Sequence, residues 1–229
     1  MNAREMVAKL KSLANPKNVK GMARFGINPK NTLGISVPEM RKLAKQAGKN
    51  HVLAQELWKT GIHEARIAAG LVDEPDKVTE KQMDAWAKDF DSWDVCDQVC
   101  MNLFDKTPSA YQKAIEWSSR KEEFVKRAGF ALMASLAVHD KTASDQKFTA
   151  FFTAIKRGAT DDRNFVKKAV NWALRQIGKR NKRLNAAAIK TAKEIQKLDS
   201  KAAKWIAADA IKELESKAVR LKTSKTRFD

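Results

Sequence analysis

Apolar side chains recur at spacings of three and four along almost the whole chain, which is the periodicity of amphipathic helices. Phe165, Val166, Ala169, Val170, Ala173, Leu174 and Ile177 form one such stripe. Read with cap and breaker residues, the pattern predicts helices over 2–13, 17–25, 37–47, 50–59, 63–73, 79–89, 93–106, 109–119, 122–138, 144–157, 162–179, 183–197 and 200–221. Asn15-Pro16, the stretch from Gly26 to Gly34, Glu74-Pro75-Asp76 and Thr107-Pro108-Ser109 mark the clearest breaks. No alternating apolar and polar run bounded by hairpin turns interrupts them. The pattern therefore predicts an all-α chain.

So many short helices raise the question of repeats, and one is visible. Phe124-Val125-Lys126-Arg127-Ala128 recurs as Phe165-Val166-Lys167-Lys168-Ala169, an offset of 41 residues. That period lies in the range of HEAT and armadillo helical repeats. A helix pair cannot bury its apolar face alone, but stacked pairs share a continuous core and a curved surface. The expected fold is an α-α superhelix, a solenoid of HEAT-like helical repeats with a concave basic surface, in one domain over 1–229. Lys126/Lys167 and Arg127/Lys168 are expected as a basic row along that surface. Residues 217–229, with Lys217, Arg220, Lys222, Lys225 and Arg227, read as a basic, partly ordered tail that adds nonspecific affinity.

Charge narrows the class of partner. Lys and Arg number 45 against 27 Asp and Glu, a formal net charge of +18 over 229 residues. Such a field attracts polyanions, nucleic acid first through phosphate neutralisation and an anionic membrane second. No run of 18 apolar residues is present, so no transmembrane helix is expected, and Met1 to Leu13 lacks a signal-peptide apolar core. A membrane would call for a flat or convex face, so none is expected as a partner. Cys96 and Cys100 share an apolar helical face and read as buried free thiols in a reducing compartment. His51, His63 and His139 are scattered, with no metal-ligand spacing. There is no Walker loop, GxGxxG, HExxH or GxSxG elbow. Neither a metal nor a cofactor is expected.

Three residues stand out against this background. In Asp91-Ser92-Trp93-Asp94-Val95-Cys96-Asp97, Ser92 or Asp91 can cap the following helix. Trp93 and Asp97 lie four apart on one helical face, at the edge of the stripe Cys96, Val99, Cys100, Leu103. A carboxylate there is either paired or working in a cleft. Asp94 reads as a first-turn helix acid. Arg127 lies with Phe124, Ala128, Ala131 and Leu132 on an apolar face; its partner is Asp97, a phosphate, or the framework of the helix itself. Trp172 flanks its stripe where the repeat equivalent is Ala131, which means rim packing or a local task. Trp58, Trp86, Trp117 and Trp205 read as packing residues. Arg41, Lys45, Lys126, Lys167, Lys168, Arg175 and Lys179 are candidates for phosphate contacts that position a duplex without reading its sequence.

Together these segments resemble the AlkD-type alkylpurine DNA glycosylases, a family built of HEAT-like repeats. The resemblance covers most of the chain. It rests on Gly34-Ile35-Ser36-Val37-Pro38-Glu39-Met40-Arg41, on Ser92-Trp93-Asp94-Val95-Cys96-Asp97, on Arg127 in Val125-Lys126-Arg127-Ala128, and on Trp172 in Lys168-Ala169-Val170-Asn171-Trp172-Ala173-Leu174-Arg175. Phe25 stands where relatives carry Tyr. The resemblance implies a glycosylase that hydrolyses the N-glycosidic bond of cationic N3- or N7-alkylated purines in double-stranded DNA, with Asp97, Trp93, Trp172 and Arg127 as its catalytic set. A monomer is the default expectation, working in the cytoplasm at the nucleoid. A cationic base already leaves well, so one carboxylate suffices. Asp97 would stabilise the oxocarbenium-like sugar and position water. The rival expectations are a noncatalytic HEAT-like nucleic-acid-binding protein and a protein–protein scaffold with an incidental basic surface.

Overall fold

The computed structural model describes residues 1–225, and every regular element among them is helical. Residues 226–229, including Arg227 of the expected tail, lie outside the described residues. The chain forms two compact units, Met1–Pro108 and a second beginning at Ser109. Each is described by itself.

The first unit holds α1 (Ala3–Ser12), α2 (Pro16–Arg24), α3 (Val37–Ala47), α4 (His51–Lys59), α5 (His63–Val72), α6 (Glu80–Lys88) and α7 (Trp93–Asn102), with short 3-10 turns at Pro75–Lys77 and Phe104–Lys106. Asn2, Asn15, Asn50 and Thr79 each accept a backbone N–H at a helix start, as small polar caps do. Packing centres on α5, which contacts α3, α4 and α7. Its Ala65, Ile67, Ala68, Ala69 and Val72 are buried. Gly70 lets α7 approach closely, because a Cβ there would meet Val99 at 3.2 Å. Trp58 and Trp86 stack at 4.0 Å between centroids, and the Trp58 indole N–H donates to Asp89 at 2.8 Å.

One buried carboxylate organises this unit. Glu64 on α5 has no exposed surface and accepts the backbone N–H groups of Leu33, Gly34 and Ile35 at 2.8, 2.7 and 3.2 Å. Those donors have no ladder partner, so the carboxylate supplies what a strand would. The Asn18 amide donates to the Gly34 carbonyl at 2.9 Å, which ties α2 to the same loop. Gly34 sits at φ +81°, and a Cβ there would come within 2.3 Å of the Asn15 carbonyl oxygen. Only glycine fits both demands.

The second unit holds α8 (Ala110–Trp117), α9 (Glu123–His139), α10 (Asp145–Thr149), α11 (Phe151–Gly158), α12 (Asn164–Gly178), α13 (Lys182–Gln196), α14 (Lys201–Leu214) and α15 (Lys217–Lys225). The 41-residue repeat lies in α9 and α12, which pack directly on each other. Val125 and Val166, and Ala128 and Ala169, are buried at equivalent positions, while the Phe124 and Phe165 rings lie 5.5 Å apart. Repeat-equivalent residues thus do the same packing work.

Three helix expectations need correction. The segment predicted over 93–106 stops at Asn102, where Leu103 leaves helical geometry and a 3-10 turn follows. The one predicted over 144–157 divides at Ala150 into α10 and α11. The one predicted over 200–221 divides after Leu214. In each case the apolar spacing continues through the break, so periodicity alone could not reveal it. Part of the expected tail, up to Lys225, is therefore helical, with Val219 buried.

Candidate functional site

Trp93 opens α7 and Asp97 follows one turn later, both half-buried on the same side of the helix. Cys96, Val99 and Cys100 take the buried face and Leu103 follows them, as the stripe predicts, and Val95 is buried as well. Asp97 thus sits on the border between core and surface. Its charge is felt inside: burial, then the hydrogen bond and charge of Cys96, then the charges of Asp97 and Asp105 push the Cys100 thiol well above the usual range. Both cysteines are buried, and neither forms a disulfide. The Trp93 indole N–H donates to the Phe25 carbonyl at 3.1 Å, which fixes the ring against the turn after α2.

The residue between them behaves differently from expectation. Asp94 is not merely a first-turn acid. It accepts the Ser92 hydroxyl at 2.6 Å and lies 2.9 Å from His63 Nε2. The side chains of His63 and Asp94 are only 3% and 14% exposed. Burial disfavours both charges, but the mutual hydrogen bond and attraction outweigh it, so His63 is raised and Asp94 lowered. Because Ser92 is turned to Asp94, its side chain does not cap α7. Asp91 does not substitute for it; it accepts the Asn28 amide at 2.8 Å.

This pair and Trp93 border a cavity of about 610 Å³, the volume of a small-molecule pocket. Its wall is mostly apolar, with Met22, Phe25, Ile35, Met40 and Ile67 contributing. Sequence reasoning missed it, because His63 looked isolated and Phe25 stood out only as a departure from the Tyr of relatives. The available signal was His63 and Ile67, four apart on one face at the start of an Ala-rich helix.

In the second unit, Arg127 on α9 is only 6% exposed, and its Nη1 donates to the Phe165 carbonyl on α12 at 2.6 Å. Trp172, on α12, is half-buried. The predicted phosphate contacts divide by environment. Arg41 and Lys45, four apart on α3, are exposed, as is Lys168. Arg41 and Lys45 flank a small cleft with Lys49, whose ammonium donates to the carbonyls of Leu71 and Asp73. Lys126 instead pairs with Asp161 at 2.8 Å, and Asp161 also binds Arg163. Burial opposes the Asp161 charge, but the bonds from Arg163 and Lys126 bring its pKa down to about 2. Lys179 pairs with Glu213 at 2.6 Å, and Arg175 binds the same carboxylate. Lys167 lies 5.1 Å over Trp205, which is 42% exposed and so is not the interior packing residue expected. The two repeat rows are consequently not uniform: Arg127 is buried where Lys168 is exposed.

Among the described residues, no group of three or more His, Cys, Asp or Glu is placed to hold a metal ion. No helix among them is long and apolar enough to cross a membrane.

One solved structure, described as a new family of proteins related to the HEAT-like repeat DNA glycosylases with affinity for branched DNA structures, is similar over 99% of this chain and 98% of its own. Its TM-score is 0.78 at 22% sequence identity, a likeness of fold. A designed armadillo repeat protein in complex with a (KR)4 peptide is similar over 91% of both chains, with a TM-score of 0.42 and 16% identity. No curated protein matches. The fold is therefore that of HEAT-like helical repeats. The family model described as DNA alkylation repair enzyme matches residues 6–214, across nearly the whole sequence, and the chain belongs to that family.

Proposed function

We propose that the protein is a DNA glycosylase that hydrolyses the N-glycosidic bond of N3- or N7-alkylated purines in duplex DNA. The observation that supports this best is Asp97, a half-buried carboxylate one helical turn from Trp93 at the border of the α7 core face. An alkylated purine carries a positive charge and needs no general acid. What remains is to stabilise the sugar cation and to aim a water, and a single carboxylate does both. Trp93 presents an aromatic face to the cationic nucleotide. Arg127 and Trp172 contribute fixed positive charge and an apolar surface toward the DNA backbone. Membership of a DNA alkylation repair family and the net charge of +18 support DNA as the partner. We further propose that residues 1–229 act as one repeat array, as a monomer in the cytoplasm.

The test is release of N7-methylguanine and N3-methyladenine from duplex DNA. Wild-type protein is expected to release base, and Asp97→Asn to lose about 100-fold or more in rate, the scale seen when one transition-state electrostatic group is removed, while binding persists. Absence of release from both lesions by the wild type overturns the proposal. It would then favour a noncatalytic DNA-binding role, the reading to which the structural relative with affinity for branched DNA lends weight.

A further inference from the structure

The cavity beside Trp93 has features that the proposed reaction does not use. It is bordered by α2, a helix of nine residues that buries none of its side chains completely. Lys17, Asn18, Gly21 and Met22 of α2 all line the cavity. A helix that turns one face to a void of about 610 Å³ leaves apolar surface without a partner. The lining also includes His63 and Asp94, paired at 2.9 Å, and the Gln98 amide. Phe25, 76% exposed, and Trp93 line the cavity as well. A planar group with a hydrogen-bonding edge suits these walls. The bordering helix adds a second element: α2 carries Lys17, Lys20 and Arg24 and no acid, so the approach favours a polyanion.

We infer that this cavity is a binding site for an unpaired nucleobase of DNA, its ring received by Phe25 and Trp93, its edge met by His63, Asp94 or Gln98, and its phosphate drawn by Lys17. The inference rests on DNA as the partner and adds a preference for bases already out of the stack. Unstacking is least costly for a base that has lost its partner. The Trp93–Phe25 contact links this pocket to the helix that carries Asp97.

The test uses two duplexes of one sequence, with 2-aminopurine either paired with thymine or bulged without a partner. Gly21 supplies the variant. Gly21 lines the cavity, and a Cβ at this position meets nothing within 4 Å, so Gly21→Phe adds a ring at the cavity wall. Affinities come from anisotropy at one salt concentration, and folding is checked by thermal unfolding. The wild type is expected to bind the bulged duplex about tenfold or more tightly than the paired one, with quenched 2-aminopurine emission, the scale of one base–aromatic stack. In Gly21→Phe the ratio is expected to fall to about one. Phe25→Ala, a change at an exposed side chain, is expected to lose the quenching and serves if Gly21→Phe unfolds. Equal binding of both duplexes by the wild type, or a preference that survives both substitutions, overturns the pocket and leaves the DNA reading standing. Binding to neither duplex overturns both.

Discussion

Single side chains decide how the N-terminal half of the site is held. Glu64 accepts three backbone N–H groups of the loop before α3 with a carboxylate that is wholly buried. Glutamine offers one acceptor oxygen and turns an amide donor toward other donors. Glu64→Gln is therefore expected to destabilise by about 1–3 kcal/mol, seen as a lower urea midpoint; an unchanged midpoint would show that water can replace the carboxylate. The His63–Asp94 pair makes a prediction with a pH window. The ordinary values are 6.5 for His63 and 3.8 for Asp94, and folding raises the first and lowers the second. A raised imidazole contributes stability that is complete below 6.5 and lost as pH rises through its folded value. A lowered carboxyl contributes stability that is complete above 3.8 and lost as pH falls through its folded value. The pair is thus worth most between those two limits. The stability gap between wild type and Asp94→Asn is expected to be larger at about pH 5 than at about pH 8.5. Urea titrations at both values check this, and a gap that does not change would mean that His63 stays neutral.

At the scale of elements, the periodicity located nearly every helix, because most of them bury one face and expose the other. It failed where a chain bends without changing its pattern: Ala150 between α10 and α11, and the turn after Leu214, keep the apolar spacing of their flanks. The site was half legible for a related reason. Trp93 and Asp97 share a helix, so their spacing shows in the sequence. His63, Asp94 and Phe25 meet through α5, α7 and the turn after α2, and tertiary contacts between distant segments leave no local signature. Glycines show the same difference between local and tertiary information. In α9, a Cβ on Gly129 would stand 2.4 Å from the Ser118 nitrogen and 2.9 Å from the Ala114 oxygen, so α8 packs there backbone to helix. In α2, Gly21 faces open space. Gly129→Ala is expected to destabilise by about 1–3 kcal/mol through overpacking, despite alanine's higher helix propensity. Gly21→Ala is expected to stabilise by about 0.5–1 kcal/mol, since only propensity changes. Thermal unfolding of the two variants checks this opposition of sign, which propensity alone cannot produce.

For the molecule as a whole, the charge of +18 was plain from composition, but composition cannot say which cations are available to DNA. The structure divides them. Lys126, Lys179 and Arg175 hold carboxylates of their own unit, so a phosphate must compete with Asp161 or Glu213 for them. Arg41 and Lys45 are exposed side by side on α3 and line a small cleft with Lys49, so this corner of the first unit groups three cations. An anion arriving there neutralises charge that is otherwise mutually repelling. Each phosphate so neutralised releases counterions and steepens the fall of log affinity with log salt by about 0.9. The double variant Arg41→Gln/Lys45→Gln is therefore expected to lower that slope by roughly 1.8 on an undamaged duplex. Lys126→Gln/Lys179→Gln removes the same formal charge, but each lysine already has a carboxylate partner, and its slope is expected to fall by less than about half as much. Anisotropy titrations across a salt series separate the two. Equal losses would mean that net charge alone draws DNA to the protein; unequal losses would trace the duplex to the surface where α3 presents its free-standing cations.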